Sequence, residues 1–202
     1  MPKIRQAVFA LFALTLAAAL LLSGRPAVAA PAPAPQAAAS CPVVVKNGNF
    51  EAQSANWTPI GAGGKQLITD FNSRAGNYSA DLGGINNTNH SIRQTITLPK
   101  RPVVLTFWWE QWTQETAPTN LNDYLAVNLL RADGSLLTEV ARLGVDPDRP
   151  PWEQASFDIS TFAGQTVQLE FLARNDATNP TQFFVDDVSI PGCRVYLPLT
   201  RK

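Results

Sequence analysis

The chain has 202 residues, with 16 Lys and Arg against 16 Asp and Glu, one histidine and two cysteines. A net charge of zero and the lack of any basic run exclude the electrostatic footprint of a nucleic-acid or anionic-membrane binder. One histidine and two cysteines are too few for an ordinary zinc centre.

The first residues are not fold. Lys3 and Arg5 precede an apolar run, Ala7 to Leu22, and a small-residue site, Ala27 to Ala30. That is the layout of a secretory signal peptide over residues 1–30. A membrane anchor is the alternative, because the run approaches spanning length. Residues 31–40, PAPAPQAAAS, alternate Ala and Pro and read as an extended leader. Removing Lys3, Arg5 and Arg25 leaves 13 basic residues against 16 acidic ones.

Residues 41–193 are long enough for one domain with a proper core. Cys41 and Cys193 bracket it, and in an exported protein a lone pair of this kind predicts a disulfide. Two free thiols are the alternative. Strands are predicted near Val43–Val45, Gln66–Thr69, Tyr78–Leu82, Ser91–Leu98, Val103–Trp112, Tyr124–Arg131, Leu136–Leu143, Trp152–Asp158, Thr166–Ala173 and Gln182–Ile190. Ile92, Gln94 and Ile96 alternate against Arg93, Thr95 and Thr97. Ala132-Asp133-Gly134-Ser135 predicts a hairpin turn. About ten short strands and no long helix predict an all-β fold, an antiparallel β-sandwich of the jelly-roll kind. Residues 194–202 form a short tail, which either packs on a sheet edge or serves attachment.

No Gly-x-Ser-x-Gly elbow is present. His90 sits in a polar, Asn-rich stretch and reads as a surface loop residue. Glu110 and Glu115 flank aromatics, but their spacing alone does not support a glycosidase pair. The expectation is a protein that is not an enzyme.

Within Phe183–Cys193, FFVDDVSIPGC, two carboxylates stand side by side at Asp186 and Asp187. Adjacent strand residues face opposite ways, so one should approach the core and need a partner. Pairing with Arg174 or Arg194 is one answer. The opening KNGNFE (Lys46–Glu51), Trp57, RQTITLP, VVLTFWWE, GQTVQLEF and the closing FFVDDVSI together suggest another. In this order they resemble the carbohydrate-binding-module-like, galactose-binding-like jelly rolls of secreted bacterial proteins, and nearly as well the related MAM-like domains. The resemblance covers residues 43–190. It implies a structural calcium where the first and last strands meet, with Asn47 through its main-chain oxygen, Glu51, and Asp186 or Asp187 as ligands. Calcium suits such hard oxygen donors.

The stretch Leu105–Glu115, LTFWWEQWTQE, carries the candidate binding surface. Alternation puts Leu105, Phe107 and Trp109 on one face and Trp108, Glu110 and Trp112 on the other. Two indoles around a carboxylate suit a sugar, which stacks on flat rings and donates hydroxyls. The expected partner is a polysaccharide or glycan, and cell-envelope components are a further candidate. The location implied is secreted or cell-surface. The competing reading is a cell-surface structural or protein-interaction domain with no sugar ligand. Exposure of Trp108 and Trp112 separates the two.

Overall fold

The computed structural model describes residues 42–61 and 63–192, without the side chains of residues 120 and 121. The signal segment, the leader, both cysteines and the tail lie outside the described residues.

Among the described residues, ten strands make the fold: β1 Thr58–Ile60, β2 Ile68–Thr69, β3 Ser79–Gly83, β4 Thr88–Thr97, β5 Val104–Thr113, β6 Thr119–Leu130, β7 Leu136–Val145, β8 Glu153–Asp158, β9 Thr166–Asn175 and β10 Thr181–Ser189. They form two five-stranded antiparallel sheets, β1-β4-β9-β6-β7 (sheet A) and β2-β3-β10-β5-β8 (sheet B). This is the expected jelly-roll β-sandwich. The chain crosses between sheets after most strands, so apart from β2–β3 and β6–β7 the neighbours in each sheet are not consecutive in sequence.

Strand alternation builds the core. Leu105, Phe107 and Trp109 of β5 and Phe183 and Val185 of β10 face inward from sheet B. Ile92 and Ile96 of β4 and Leu169 and Phe171 of β9 meet them from sheet A. Phe107 and Phe171 touch edge to face across the layers, with ring centres 4.9 Å apart. The hairpin between β6 and β7 turns where expected. Gly134 adopts φ +83°, and the Asp133 carboxylate accepts the Ser135 N–H at 2.9 Å.

Two expectations need correction. Val43–Val45 is not a strand. The buried Gln94 side chain takes the place of a ladder there: its amide accepts the Lys46 N–H at 2.7 Å and donates to the Lys46 carbonyl at 2.8 Å. His90 is not a surface loop residue. It lies in β4, 1% exposed, with Nδ1 accepting the Gly83 N–H at 3.2 Å. Burial, with the Lys65 charge second, holds its pKa below the ordinary value.

The KNGNFE segment lies against β10, with Val188 N–H donating to the Gly48 carbonyl at 2.8 Å. A Cβ on Gly48 would overlap the Val188 carbonyl, so only glycine allows this approach. Phe50 is fully buried beneath it and meets Trp57 at 5.3 Å. Replacing Gly48 by Ala is therefore expected to cost about 2 kcal/mol or more of unfolding free energy, as overpacking against backbone does. Chemical denaturation measures it, and an unchanged midpoint would contradict the close approach.

Candidate functional site

The outer face of sheet B is where the expected aromatic surface falls. Pairing sets Trp112 beside Gln182, Glu110 beside Phe184 and Trp108 beside Asp186. All of these point away from the core. A segment between β2 and β3, Asp70 to Asn77, crosses this face and decides which of them meets solvent.

Trp112 is 44% exposed and Phe71, on the crossing segment, 60%. Their rings meet edge to face at 5.3 Å, and both rest on the buried Phe184, at 5.1 Å and 6.2 Å. Glu110 orients the indole by accepting Trp112 Nε1–H at 2.7 Å, while its other oxygen accepts Asn72 Nδ2–H at 3.1 Å. Both oxygens are engaged, which leaves Glu110 a positioning group. Beside Trp112, Gln182 Nε2–H donates to Asp81 at 2.7 Å, and Lys65 pairs with the same oxygen at 2.7 Å. Trp108 stands differently. The Arg74 guanidinium lies 4.0 Å over its ring centre.

The aspartate pair holds the crossing segment down. A register shift between Asp186 and Ser189 marks a β-bulge, and Asp187 adopts φ +49°. The bulge brings both carboxylates to the same stretch of chain. Asp186, fully buried, accepts the Arg74 N–H at 3.1 Å and the Ala75 N–H at 3.3 Å, and also its neighbour Asp187 N–H at 2.7 Å. Asp187 pairs with the Arg74 guanidinium at 2.5 Å. The cation that answers the pair is thus Arg74. Glu51 holds the far end of the segment by accepting N–H groups of Asn77 at 2.8 Å and Tyr78 at 2.9 Å. Those two bonds, Tyr78 first, hold its pKa below the ordinary value. Asn47 ties its own turn: its side chain donates to the carbonyls of Gln53 and Ala55, and its carbonyl accepts Trp57 Nε1–H at 2.9 Å.

Of the residues expected to hold a metal, Glu51 and Asp186 grip the two ends of one loop. Among the described residues, three carboxylates come within 4.8 Å of one another at a different place: Glu115, Asp123 and Asp176. Asp123 is fully buried and accepts Asn175 Nδ2–H at 2.9 Å and Asp176 N–H at 2.8 Å. Glu115 Oε1 is buried without a hydrogen-bond partner. Three such oxygen donors can serve a hard divalent cation. The sequence gives little hint of this grouping, since 61 positions separate its ends and only the sandwich unites them.

Phe71, Asn72 and Arg74 were not legible as site residues either. They lie in a polar stretch with no strand alternation, and contacts with Glu110, Trp112, Phe184 and Asp186 bring them across the sheet.

The fold is that of carbohydrate-binding modules. It is similar to a family 61 carbohydrate-binding module solved with β-1,4-galactotriose, 16% identical with a TM-score of 0.52, covering 74% of this chain and 97% of that one. It is also similar to the K3 adhesin domain of Lys-gingipain from Porphyromonas gingivalis, 18% identical with a TM-score of 0.53, covering 74% and 98%. A module of family 28 specific for non-crystalline cellulose gives 13% identity and a TM-score of 0.52, covering 74% and 94%. No family model and no curated protein matches the chain.

Burial pushes the Asp186 carboxyl up to about 6, against the opposing pull of the N–H groups it accepts. A folded-state pKa above the ordinary 3.8 means stability that is complete below that value and is lost as pH rises through about 6. His90 acts in the opposite sense, so the readout is a difference. Wild type is expected to gain stability over Asp186→Asn as pH falls from about 7 to about 5. Thermal melts across that window check it, and parallel pH profiles would contradict it.

Proposed function

We propose that the domain is a secreted, non-catalytic carbohydrate-binding module. It holds a glycan on the outer face of sheet B, with Trp112 and Phe71 as the stacking surface. The observation that carries this is the exposed edge-to-face pair Trp112–Phe71, seated on buried Phe184 and flanked by polar Gln182, Asp81 and Lys65. A rigid aromatic surface with a few placed polar groups is the usual form of a ligand site. Glu110 sets the indole, and Trp108 lies one step along the strand under Arg74, where it extends the surface if the crossing segment lifts. The module with galactotriose and the cellulose-specific module lend support to a sugar as ligand. The adhesin domain favours a second reading, a cell-surface interaction domain without a sugar ligand.

Calcium is the ion we propose for the protein, as a structural element. Glu115, Asp123 and Asp176 supply the better donor set, because their oxygens converge within 4.8 Å and Glu115 Oε1 is buried with no hydrogen-bond partner. Asn47, Glu51, Asp186 and Asp187 are the competing location. We also propose a Cys41–Cys193 disulfide. It is supported by their neighbours Pro42 and Gly192, whose backbones touch so closely that a Cβ on Gly192 would overlap the Pro42 carbonyl.

Two experiments test this reading. Retention on a panel of soluble and insoluble polysaccharides is expected to fall about tenfold or more in Trp112→Ala, with a smaller loss in Trp108→Ala. No retention of the folded protein on any glycan would favour the interaction-domain reading. Added calcium is expected to raise the melting temperature of wild type and of Glu51→Gln but not of Asp123→Asn. The reverse pattern would move the ion to the β10 end.

A further inference from the structure

The outer face of sheet A carries a groove that none of these residues uses. Pairing sets Asn89 opposite Arg174, Ser91 opposite Leu172 and Arg93 opposite Glu170 across β4 and β9. Alternation turns all six outward. The groove has a volume of about 470 Å³, with Ile60 of β1 on one wall and Tyr124 of β6 on the other.

Its charges do not balance. Glu170, the one carboxylate lining it, is 3% exposed and already matched: it accepts Arg93 Nε–H at 2.7 Å and Asn128 Nδ2–H at 2.9 Å. Arg93 spends only Nε, so its two amino groups are free of hydrogen bonds among the described residues. Arg174 is exposed and has no ion pair or hydrogen bond among them; its guanidinium stands 5.9 Å from the Tyr124 ring centre. The other approach to that ring is taken by Arg142, at 4.0 Å, itself paired with Glu139. Tyr124 is therefore 7% exposed and offers no bare face for stacking a neutral sugar. What the groove offers is one unmatched guanidinium, that of Arg174, with the exposed Asn89 amide beside it and the Arg93–Glu170 pair at the far end.

We propose that this groove is a second binding site and takes an anionic saccharide, a sugar bearing a carboxylate or a sulfate. Arg174 receives the anionic group, because a planar guanidinium matches such oxygens with two parallel hydrogen bonds. Asn89, exposed beside Arg174, reads a hydroxyl. Arg174 lies four residues along β9 from Glu170, so its guanidinium and the Arg93–Glu170 pair stand about 13 Å apart along the strand. That spacing suits a short oligosaccharide rather than a lone ion.

Calorimetry of the secreted chain with oligogalacturonate, a sulfated oligosaccharide and neutral galactan tests it. Binding of at least one anionic ligand is expected, weakening as salt rises. Arg174→Ala and Arg174→Gln should each weaken it about tenfold or more, with unchanged melting temperature. The uronate and sulfate arms decide which anion is preferred. Trp112→Ala should leave this binding intact, so its failure and the failure of the sheet B platform are distinguishable. No anionic binding, or anionic binding indifferent to both Arg174 substitutions, would overturn the proposal.

Discussion

A buried carboxylate without a buried cation governs this sandwich. Asp186 sits in the middle of β10 with no exposed surface, and its oxygens are answered by main-chain N–H groups. Such an arrangement requires a piece of chain to be delivered to it. The segment from Asp70 to Asn77 is that piece. The bulge at Asp187 frees the second carboxylate to take the guanidinium of Arg74, which in turn lies over Trp108. One structural need, satisfying Asp186, thus fixes which aromatics on sheet B are covered and which are bare.

The same crossing segment brings Phe71 to Trp112 and Asn72 to Glu110. The exposed pair at one end of the face and the covered indole at the other follow from a single loop path. Opening that path would bare Asp186 and return its carboxyl toward the ordinary carboxylate range, so acid favours the closed path. The groove on the outer face of sheet A is lined by strand residues, among them Arg93, Glu170 and Arg174.

Much of the sandwich was legible because its strands are long and half-buried. β4, β5 and β9 alternate cleanly, so Leu105, Phe107 and Trp109 were assigned inward and Trp108, Glu110 and Trp112 outward, as they stand. The paired end motifs likewise pointed to KNGNFE meeting β10, which the Gly48–Val188 contact realises. Three things could not be read. The bulge at Asp187 breaks the period-two rule, so both carboxylates turn to one loop. His90 lies among polar neighbours but faces the core, because β4 begins at Thr88, ahead of its apolar residues. Val43–Val45 is β-branched yet unpaired in a ladder, since a single side chain, Gln94, holds the neighbouring main chain instead. Each is a tertiary demand that overrides a local pattern.

The account rests on Trp112 being the surface that meets sugar, and its indole N–H is a direct reporter. We would record indole N–H resonances of the isotopically labelled protein while titrating a neutral oligosaccharide that binds. The account predicts a saturable shift of the Trp112 resonance, with those of the buried Trp57 and Trp109 unmoved. Saturable binding of the neutral oligosaccharide that leaves Trp112 unmoved would contradict it.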